Sequence, residues 1–455
     1  MTDTFKFKIT SPVQIQHGTF YVAVFGCQMN VYDGDRIRDL LSAQGYSEVT
    51  TPKDASVIVF VTCAVRAKAE NRVFKQLETW RHQGLVKDDA VIALGGCVGS
   101  ELGQKILDLN SDIHIVFGPR TVHKLPSLLS TYLGSGQRCV DVEADSLDKF
   151  DALPSPGARG ASAFITIMEG CSNKCTYCIV PYTRGEEISR SPEDILKECE
   201  DFLSQGVIEI HLLGQNVNSY RGVDKNGIVC DFATLLYEIA ALDGVKRIRF
   251  TTSNPMDFSD EIIRAIKELP IIADQIHVPI QAGSDRILEK MHRRYTVDSY
   301  KTLVNKIRKA RPTAQISSDF IVGFPGETYE DFKQTVEAVK EIGFDQSFSF
   351  IYSPRPGTPA AKMDDPIAFS DKQKWLYELQ EELEKSTARI GQSLIGTTQE
   401  VLVEGISRKD ANELKARASN GRITVFKGTS DLIGQMVKVK IVGVASHTLK
   451  AERIL

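Results

Sequence analysis

Three cysteines stand close together on one short segment, CSNKCTYC, at Cys171, Cys175 and Cys178. Thiolates are soft ligands that suit zinc and iron–sulfur clusters. Three of them on one loop can hold three irons of a cubane and leave the fourth iron open. Ordinary buried thiols and a zinc site lacking its fourth ligand are the alternatives. The segment directly follows a predicted strand, and this position together with the spacing favours a cluster.

A second set of three cysteines, Cys27, Cys63 and Cys97, is spread along the N-terminal part of the chain. Each of them follows a short run rich in Val and Ile that predicts a buried parallel strand. Because the carboxyl ends of parallel strands meet at one edge of a sheet, we expect the three thiols to converge. A second cluster with one open iron is the favoured interpretation, and core cysteines or a zinc site are the alternatives. Three glycines are predicted to leave room for a bulky group beside them, namely Gly26, Gly95 and Gly96.

The elements that must position these cysteines alternate between strands and helices. In the N-terminal part, the predicted strands cover residues 20–25, 55–61, 90–95 and 113–118, and the predicted helices cover residues 33–44, 65–82 and 100–109. This pattern predicts a small open parallel α/β sheet. A looser Pro- and Gly-rich stretch at residues 134–160 is interpreted as a linker.

A larger alternation follows, with six β/α units. The predicted strands are residues 163–168, 207–214, 247–253, 275–280, 314–324 and 345–353, and the predicted helices are residues 192–205, 231–242, 259–268, 298–310, 328–342 and 371–390. Ser191 and Thr328 are predicted to cap the first and the fifth of these helices. Six such units form either an open sheet or a curved partial barrel, and periodicity alone does not choose between them.

The last 65 residues predict a small β-barrel, because three runs alternate in polarity between Gly-rich turns. Residues 391–455 contain ten Lys and Arg against six Asp and Glu, which gives a net charge of +4. The whole chain has a net charge of −4, so the remainder carries −8. A basic barrel on an acidic body predicts contact with nucleic acid, and a structural cap with a charged, solvated face is the alternative.

Length and composition limit the class of protein. The chain has 455 residues, of which 42% are hydrophobic and 25% are charged, as in ordinary soluble globular proteins. The start of the chain has no secretory pattern and no apolar run approaches a membrane span, so a cytoplasmic protein is expected. The predicted domains are an N-terminal domain at 18–140, a linker at 141–160, a central domain at 161–390 and a barrel at 391–455.

The central domain resembles the radical SAM superfamily. The resemblance rests on the CSNKCTYC spacing, on Tyr177 just before the third cysteine and on the six β/α units. It implies that Cys171, Cys175 and Cys178 bind a [4Fe–4S] cluster whose open iron chelates S-adenosylmethionine. One electron then cleaves this cofactor to methionine and a 5′-deoxyadenosyl radical.

Nearly the whole chain resembles the methylthiotransferases, through GCQMN, TCAVRAKAE, GCSNKCTYCIVPYTRG, LLGQNVNSY, HVPIQAGSDRILEKMHRRYT, DFIVGFPGET and SPRPGT. The final barrel resembles the TRAM domain, an RNA-binding module. The TCAVRAKAE and LGQNVNSY segments are most similar to the MiaB type. That similarity implies methylthiolation at C2 of N6-isopentenyladenosine at position 37 of tRNA, with two S-adenosylmethionine molecules and an auxiliary cluster at Cys27, Cys63 and Cys97.

The resemblance also implies an electron donor, a sulfur source, a tRNA anticodon stem-loop as partner and no membrane, and we expect a monomer. Candidate cofactor contacts are polar or small residues at the site ends of the strands, together with the tyrosine of the cysteine loop: Tyr177, Gln215, Asn216, Ser253, Gln281, Gly283 and Asp319. Candidate substrate contacts are basic residues: Arg66, Lys68, Arg184, Arg293, Arg294, Arg408, Lys409, Arg417, Arg422 and Lys427. For each of these residues the alternative is a structural role as a loop cap, a buried polar group or a surface charge.

Three rival functions remain open. Two are methylthiolations of other acceptors, either threonylcarbamoyl-adenosine in tRNA or an aspartate of a ribosomal protein. The third is an RNA-binding iron–sulfur protein that senses redox state without catalysis. Cys139, Cys199 and Cys230 have no partners at ligand spacing and are interpreted as ordinary thiols.

Overall fold

The computed structural model describes residues 18–64, 67–143, 148–251, 253–445 and 447–454. The chain divides into two compact units, residues 1–154 and residues 155–455, and each is described by itself. Within the described ranges, no helix combines the length and the apolar character that crossing a membrane requires.

The first unit is a parallel sheet flanked by helices. Its strands are β1 (Thr19–Val24), β2 (Ser47–Glu48), β3 (Val57–Thr62), β4 (Val91–Gly96), β5 (Ile115–Phe117) and β6 (Cys139–Asp141). Its helices are α1 (Gln28–Ala43), α2 (Ala67–His82), α3 (Cys97–Leu102), α4 (Gln104–Leu109), α5 (Leu125–Ser135) and α6 (Asp148–Asp151). The strand order is β2-β1-β3-β4-β5-β6 and every pairing is parallel. The predicted small parallel α/β sheet is confirmed.

The central strands of this sheet are covered on both faces. All six residues of β3 and all six of β4 are buried. Continuous Val- and Ile-rich runs of this kind are typical of parallel strands with helices on both sides. In register, Val24 pairs with Val61 and Thr62 pairs with Gly96, so β1, β3 and β4 end side by side.

The stretch interpreted as a linker is more ordered than its composition indicates. It contributes β6 to the edge of the sheet, where Cys139 pairs with Ile115. Helix α6 is fixed to the first unit by Lys149, a buried side chain that lies 3.5 Å from the Asp33 carboxylate and donates to the carbonyl of Pro119 at 3.1 Å. A buried cation requires such partners. The composition of this stretch does not show that Lys149 has these partners.

The second unit contains six parallel strand positions in sequence order. They are β7 (Ser162–Thr166), β10 (Glu209–Leu213), β13 (Arg247–Phe250), β14 (Gln275–His277), the consecutive pair β15 (Gln315–Ser317) and β16 (Asp319–Val322), and β17 (Phe348–Ile351). Two short hairpins accompany them, β8 (Met168–Glu169) with β9 (Ile188–Ser189) and β11 (Arg221–Val223) with β12 (Val229–Asp231). Strands β7, β10 and β13 form one sheet, β14 pairs with β15, and β16 pairs with β17. Single parallel β-bridges join these sheets into one curved surface. They pair Ile248 with Ile272 and Gln281 with Phe320. The partial barrel, one of the two predicted forms, is therefore present.

Helices surround this partial barrel. They are α7 (Val180–Thr183), α8 (Pro192–Ser204), α9 (Phe232–Ala240), α10 (Asp260–Glu268), α11 (Asp285–Lys290), α12 (Val297–Ala310), α13 (Tyr329–Ile342) and α14 (Phe369–Ser393). The hydroxyl of Ser191 accepts from the backbone N–H of Asp194, and Thr328 forms a capping box with Asp331, so both predicted caps are confirmed. The short helices α7 and α11 were missed, because fewer than two turns carry no clear periodic signal.

Alternate residues of the strands face the helices and the interior of the partial barrel. Ile210, Ile248 and Phe320 belong to the buried apolar core shared with the helices. Their neighbours in sequence therefore lie on the interior face. That face carries polar and charged side chains, namely Glu209, His211, Arg247, Arg249, His277 and Asp319.

The C-terminal strands close into a barrel. They are β18 (Thr398–Ile406), β19 (Glu413–Ala418), β20 (Ile423–Lys427), β21 (Met436–Ala445) and β22 (Thr448–Arg453), in the order β18-β19-β20-β22-β21. The predicted all-β barrel is confirmed. Its core is small and apolar, with Val401, Leu414 and Phe426 at its centre.

This barrel packs against the amino ends of the central strands. Arg247 donates to the carbonyls of Arg417 (3.0 Å) and Glu400 (2.9 Å), and Arg249 donates to that of Ala418 (2.7 Å). Glu209 accepts from both arginines and compensates their charge. The cysteine loop follows the carboxyl ends of the same strands, so it lies at the opposite end of the partial barrel from this contact.

Candidate cluster-binding sites

The cysteine loop of the second unit follows β8 and precedes α7. The backbone N–H of Cys171 donates to the carbonyl of Gly185 (3.2 Å), and that of Cys178 donates to the carbonyl of Cys175 (3.1 Å). All three thiols are partly buried. Burial raises the pKa of the Cys178 thiol to about 12, and the neighbouring Cys175 adds to this effect. Burial also raises the pKa of the Cys171 thiol. A bound cationic partner favours the thiolate forms that burial disfavours.

No group of three His, Cys, Asp or Glu side chains in the described part of the chain is placed to hold a single metal ion. The donor set of the loop nevertheless fits a cubane cluster. Each thiolate of such a cluster binds a different iron, so its ligands need not converge on one point.

A separate segment clamps the cysteine loop from the side. Thr176 donates to the carbonyl of Met291 through its backbone (3.1 Å) and to that of Lys290 through its hydroxyl (2.8 Å). A ring nitrogen of His292 lies 2.8 Å from the carbonyl of Lys174. Thr176 and Lys290 lie 114 residues apart in sequence. The MHRRYT motif, which begins at Met291, is the sequence feature that could have indicated this contact.

Two arginines predicted to contact substrate phosphates have polar neighbours within the protein. Arg184 is buried and lies 3.2 Å from the carboxylate of buried Glu169. The Nη1 atom of Arg293 lies 3.7 Å from the Sγ atom of Cys175. The buried ion pair disfavours Arg184 as a phosphate contact, whereas Arg293 is only partly buried and stays a prediction. Arg294 is exposed and stays a prediction.

The candidate cofactor contacts after β10 and β13 lie near the cysteine loop. Gln215 accepts from the backbone N–H of Gly170 at 2.6 Å, which joins it to the residue before Cys171. Asn216 is buried, donates to Asp257 (2.6 Å) and accepts from the backbone of Asn254 (3.0 Å). Asn216 is thus engaged in holding the loop after β13, whereas Gln215 positions the backbone beside the cysteines.

Two buried polar side chains in these loops have no hydrogen-bond partner among the described residues. One is Ser253, whose Oγ atom is unpartnered. The other is Asn218, whose amide nitrogen and oxygen are both unpartnered. Buried polar atoms of this kind point to a ligand that completes them. Asn218 was missed as a candidate, although the LGQNVNSY motif contains it.

The remaining cofactor candidates lie after β14, at the start of β16 and in the cysteine loop itself. The backbone N–H of Gln281 donates to the carbonyl of Asp319 (3.0 Å), and the Asp319 carboxylate lies 3.5 Å from His277. A Cβ added at Gly283 would lie 2.4 Å from the Cα of Thr335, so this glycine allows close packing on α13, and its contact with a cofactor stays a prediction. The ring of Tyr177 meets that of Phe324 edge to face, at 6.5 Å between centroids.

The three N-terminal cysteines follow adjacent parallel strands, as the sequence predicts. Cys27 is the N-cap of α1 after β1, Cys63 follows β3, and Cys97 begins α3 directly after β4. Cys27 is exposed, whereas Cys63 and Cys97 are buried. A Cβ added at Gly26 would lie 2.4 Å from the Cβ of Cys63, so the first and second strand ends are close together. The Cys27 thiol donates to the side-chain oxygen of Asn30 at 3.3 Å.

The prediction that the three glycines beside these cysteines leave open space is wrong, because an added Cβ at Gly26, Gly95 or Gly96 would meet protein atoms. A Cβ at Gly95 would lie 2.2 Å from the ring of Phe117, and one at Gly96 would lie 2.4 Å from the carbonyl of Thr62. The space is filled by the protein itself. Gly96 also has φ +92°, a backbone conformation that favours glycine.

The basic candidates of the C-terminal barrel differ in exposure. Arg408, Lys409 and Lys427 are exposed. Arg417 is partly buried and pairs with Glu404. Arg422 is fully buried and pairs with Asp345, so its assignment as an RNA contact is wrong. In the N-terminal part, Arg66 and the side chain of Lys68 lie outside the described residues.

Family models match three parts of the chain. Residues 165–339 match the radical SAM superfamily, residues 392–454 match the TRAM domain, and residues 19–118 match a family described as uncharacterized protein family UPF0004.

Curated relatives match nearly the full length. The chain is 48% identical over 436 residues to a tRNA-2-methylthio-N(6)-dimethylallyladenosine synthase of Alkalilimnicola ehrlichii, covering 96% of this chain and 97% of that one. It is 47% identical to the protein of the same name from Vibrio cholerae, covering 95% and 91%. The chain belongs to the MiaB-type methylthiotransferase family. As a radical SAM member of that family, this methylthiotransferase uses a [4Fe–4S] cluster and S-adenosylmethionine.

Solved structures share the fold at low identity. The radical S-adenosylmethionine methyltransferase TsrM from Kitasatospora setae aligns with a TM-score of 0.55 and 17% identity, covering 76% of this chain and 75% of that one. The cobalamin-dependent radical enzyme OxsB aligns with a TM-score of 0.51 and 13% identity, covering 81% and 56%. These likenesses support the radical SAM fold of the methylthiotransferase and carry nothing further about its substrate.

Proposed function

We propose that this methylthiotransferase is a tRNA-2-methylthio-N(6)-dimethylallyladenosine synthase, which methylthiolates C2 of N6-isopentenyladenosine at position 37 of tRNA. The observation that carries this proposal is the match over 96% of the chain, at 48% identity, to a relative of that name. The C2 position of adenine is an unactivated C–H, and radical chemistry offers a route to it that polar chemistry does not.

In this proposal Cys171, Cys175 and Cys178 hold the radical SAM cluster. When bound, that cluster and S-adenosylmethionine supply a one-electron cleavage that yields a 5′-deoxyadenosyl radical. The protein contributes position and exclusion of water. Gln215 holds the backbone before Cys171, and the unpartnered polar atoms of Ser253 and Asn218 are available to orient the cofactor or the base.

Cys27, Cys63 and Cys97 hold an auxiliary cluster in this proposal. Support comes from their positions after three adjacent parallel strands, which bring thiols distant in sequence to one edge of the sheet. Two S-adenosylmethionine molecules are used, one for methyl transfer to sulfur and one for the radical. An electron donor and a sulfur source are required besides. The protein acts as a cytoplasmic monomer on the anticodon stem-loop.

The experiment is a nucleoside mass-spectrometric assay on anaerobically reconstituted protein with reductant and S-adenosylmethionine. tRNA bearing isopentenyladenosine is expected to gain a methylthio group, and tRNA bearing threonylcarbamoyl-adenosine is not. Product on the second tRNA alone would overturn the substrate and keep the reaction. 5′-Deoxyadenosine without product on either tRNA would point to a protein acceptor such as a ribosomal aspartate.

Variants separate the two clusters. Cys175→Ala is expected to abolish 5′-deoxyadenosine formation, whereas Cys63→Ala should retain it and lose the methylthio product. Cys139→Ala is the matched control, because this thiol lies on edge strand β6, which β5 separates from the strands that precede Cys27, Cys63 and Cys97. A protein that holds iron at both sets but releases no 5′-deoxyadenosine would favour a non-catalytic redox sensor.

A further inference from the structure

Arg293 directs its guanidinium at a cysteine rather than at a carboxylate. Its Nη1 atom lies 3.7 Å from the Sγ atom of Cys175, within hydrogen-bonding distance for sulfur. In the described part of the chain it forms no ion pair with an acidic side chain, and its Nε atom has no hydrogen-bond partner. The guanidinium therefore faces the cysteine loop, whose thiols become thiolates when they bind a cluster.

The position of this guanidinium is fixed by its surroundings. It lies over the ring of Tyr295, 5.7 Å from the ring centroid, and the Tyr295 hydroxyl donates to the carbonyl of Ile280 at 2.8 Å. The backbone N–H of Arg293 donates to the carbonyl of Leu288 at 2.8 Å. A cation over an aromatic face, with its backbone anchored on the helix before it, is preorganised to donate to the thiolate.

The same segment also has a purely mechanical contact with the loop. Thr176 donates two hydrogen bonds to the carbonyls of Lys290 and Met291. These bonds hold the loop without bringing any charge to it. The electrostatic contribution of Arg293 and the mechanical contribution of Thr176 can therefore be separated by substitution.

We propose that Arg293 is a positioning residue that donates an N–H···S hydrogen bond to Cys175 and raises the reduction potential of the cluster bound there. The proposal rests on the assignment of Cys175 to the radical SAM cluster. Reduction adds one negative charge to the cluster, so a nearby cation and N–H donor stabilise the reduced state more than the oxidised state. One electron enters and no bond is made or broken.

The experiment is a redox titration of the reconstituted full chain, followed by the electron paramagnetic resonance signal of the reduced cluster. Arg293→Gln is compared with Arg294→Gln, which removes the same charge from an exposed neighbour. We expect Arg293→Gln to lower the equilibrium constant for one-electron reduction about tenfold, a shift of about 59 mV to lower potential. Arg294→Gln should leave the potential unchanged.

Further variants keep the proposal falsifiable. Thr176→Val should lower thermal stability without shifting the potential. Arg293→Lys keeps a cation and should give a potential between wild type and Arg293→Gln. An unshifted Arg293→Gln, or equal shifts in Arg293→Gln and Arg294→Gln, would overturn the proposal. If Arg293→Gln and Arg293→Lys both lose their iron, Arg293 is needed for folding of the loop and the tuning role is overturned.

The assignment beneath the proposal has its own test. Cys175→Ala should remove the resonance of the site-differentiated cluster and its change on addition of S-adenosylmethionine. If Cys175→Ala keeps both, Cys175 is not a ligand of that cluster, and the proposal for Arg293 is overturned together with the ligand assignment.

Discussion

Arg422 of the C-terminal barrel and Asp345 of the partial barrel form a buried ion pair, although they lie 77 residues apart in sequence. The Nε atom of Arg422 is 3.1 Å from a carboxylate oxygen of Asp345, and Arg422 also donates to the carbonyl of Thr387 at 2.8 Å. Both side chains are almost fully excluded from solvent. The pair joins the barrel to the body of the second unit.

Replacing only one residue of this ion pair is expected to lower the free energy of unfolding substantially. Arg422→Met leaves a buried carboxylate without its cation, and such losses typically destabilise by about 3–5 kcal/mol. The double variant Arg422→Met with Asp345→Leu should lose less than the sum of the two single variants, because no lone charge remains. Urea unfolding at neutral pH measures these differences.

An exposed ion pair provides the control for that series. Lys306 lies 2.8 Å from Asp260 on the surface, and Lys306→Met should cost less than about 1 kcal/mol. If Arg422→Met costs no more than Lys306→Met, the pair does not hold the barrel in place.

The acid stability of the protein is expected to depend on His211. Burial, aided by the positive charge of Arg249, lowers the pKa of His211 to about 3. The unfolded chain takes up this proton near pH 6.5 and the folded chain does not. The stabilisation is therefore complete above about pH 6.5 and is lost as the pH falls towards 3.

The measurement compares wild type with His211→Phe, which keeps a ring against Phe164. Between about pH 6.5 and 4, wild type should lose about 1.4 kcal/mol per pH unit more than the variant. Parallel stability curves over that range would show that His211 is protonated in the folded state.

Gly96 is expected to be essential for the N-terminal cysteine set. Its φ is +92°, and an added Cβ would lie 2.4 Å from the carbonyl of Thr62, one residue before Cys63. Gly96→Ala must displace this backbone and, with it, the positions of Cys63 and Cys97. If these cysteines hold the proposed auxiliary cluster, we expect loss of its iron from the reconstituted protein and a lower melting temperature.

Gly84→Ala is the control that introduces backbone strain without a steric clash like that of Gly96→Ala with the Thr62 carbonyl. Gly84 has φ +65°, but an added Cβ meets nothing within 4 Å. It should cost only about 1–2 kcal/mol and leave the iron content unchanged. Equal iron contents in the two variants would show that the approach of Gly96 to Thr62 does not position the cysteines.

Binding of tRNA is expected to depend on salt through the exposed cations of the barrel. Replacing Arg408, Lys409 and Lys427 by Gln should weaken binding and flatten the plot of log affinity against log salt. Each lost phosphate contact should reduce the slope by about 1. Filter binding or fluorescence anisotropy at several salt concentrations measures the slope.

The matched control removes three exposed lysines from helices α12 and α13, namely Lys306, Lys309 and Lys340. It changes the net charge equally and should leave the slope near that of wild type. Equal slopes for both triple variants would assign the effect to net charge rather than to a surface of the barrel.

The sequence by itself determined the order of the elements and the places of the cysteines. Apolar runs of Val and Ile predict the buried strands, and each cysteine of the N-terminal set stands at the end of one. Ser191 and Thr328 could be predicted as N-caps, because each forms a capping hydrogen bond with a residue only three positions later. These features were readable because their causes lie within a few residues of one another.

Only the tertiary structure decided which basic residues are free to meet RNA. Arg184, Arg293 and Arg422 look alike in sequence, yet one pairs with Glu169, one faces Cys175 and one is buried against Asp345. Their partners lie 15, 118 and 77 residues away. The sequence does not show whether the side chain of an arginine is buried or exposed. Its burial depends on an acidic or polar partner that is distant in sequence and becomes a neighbour only in the folded protein.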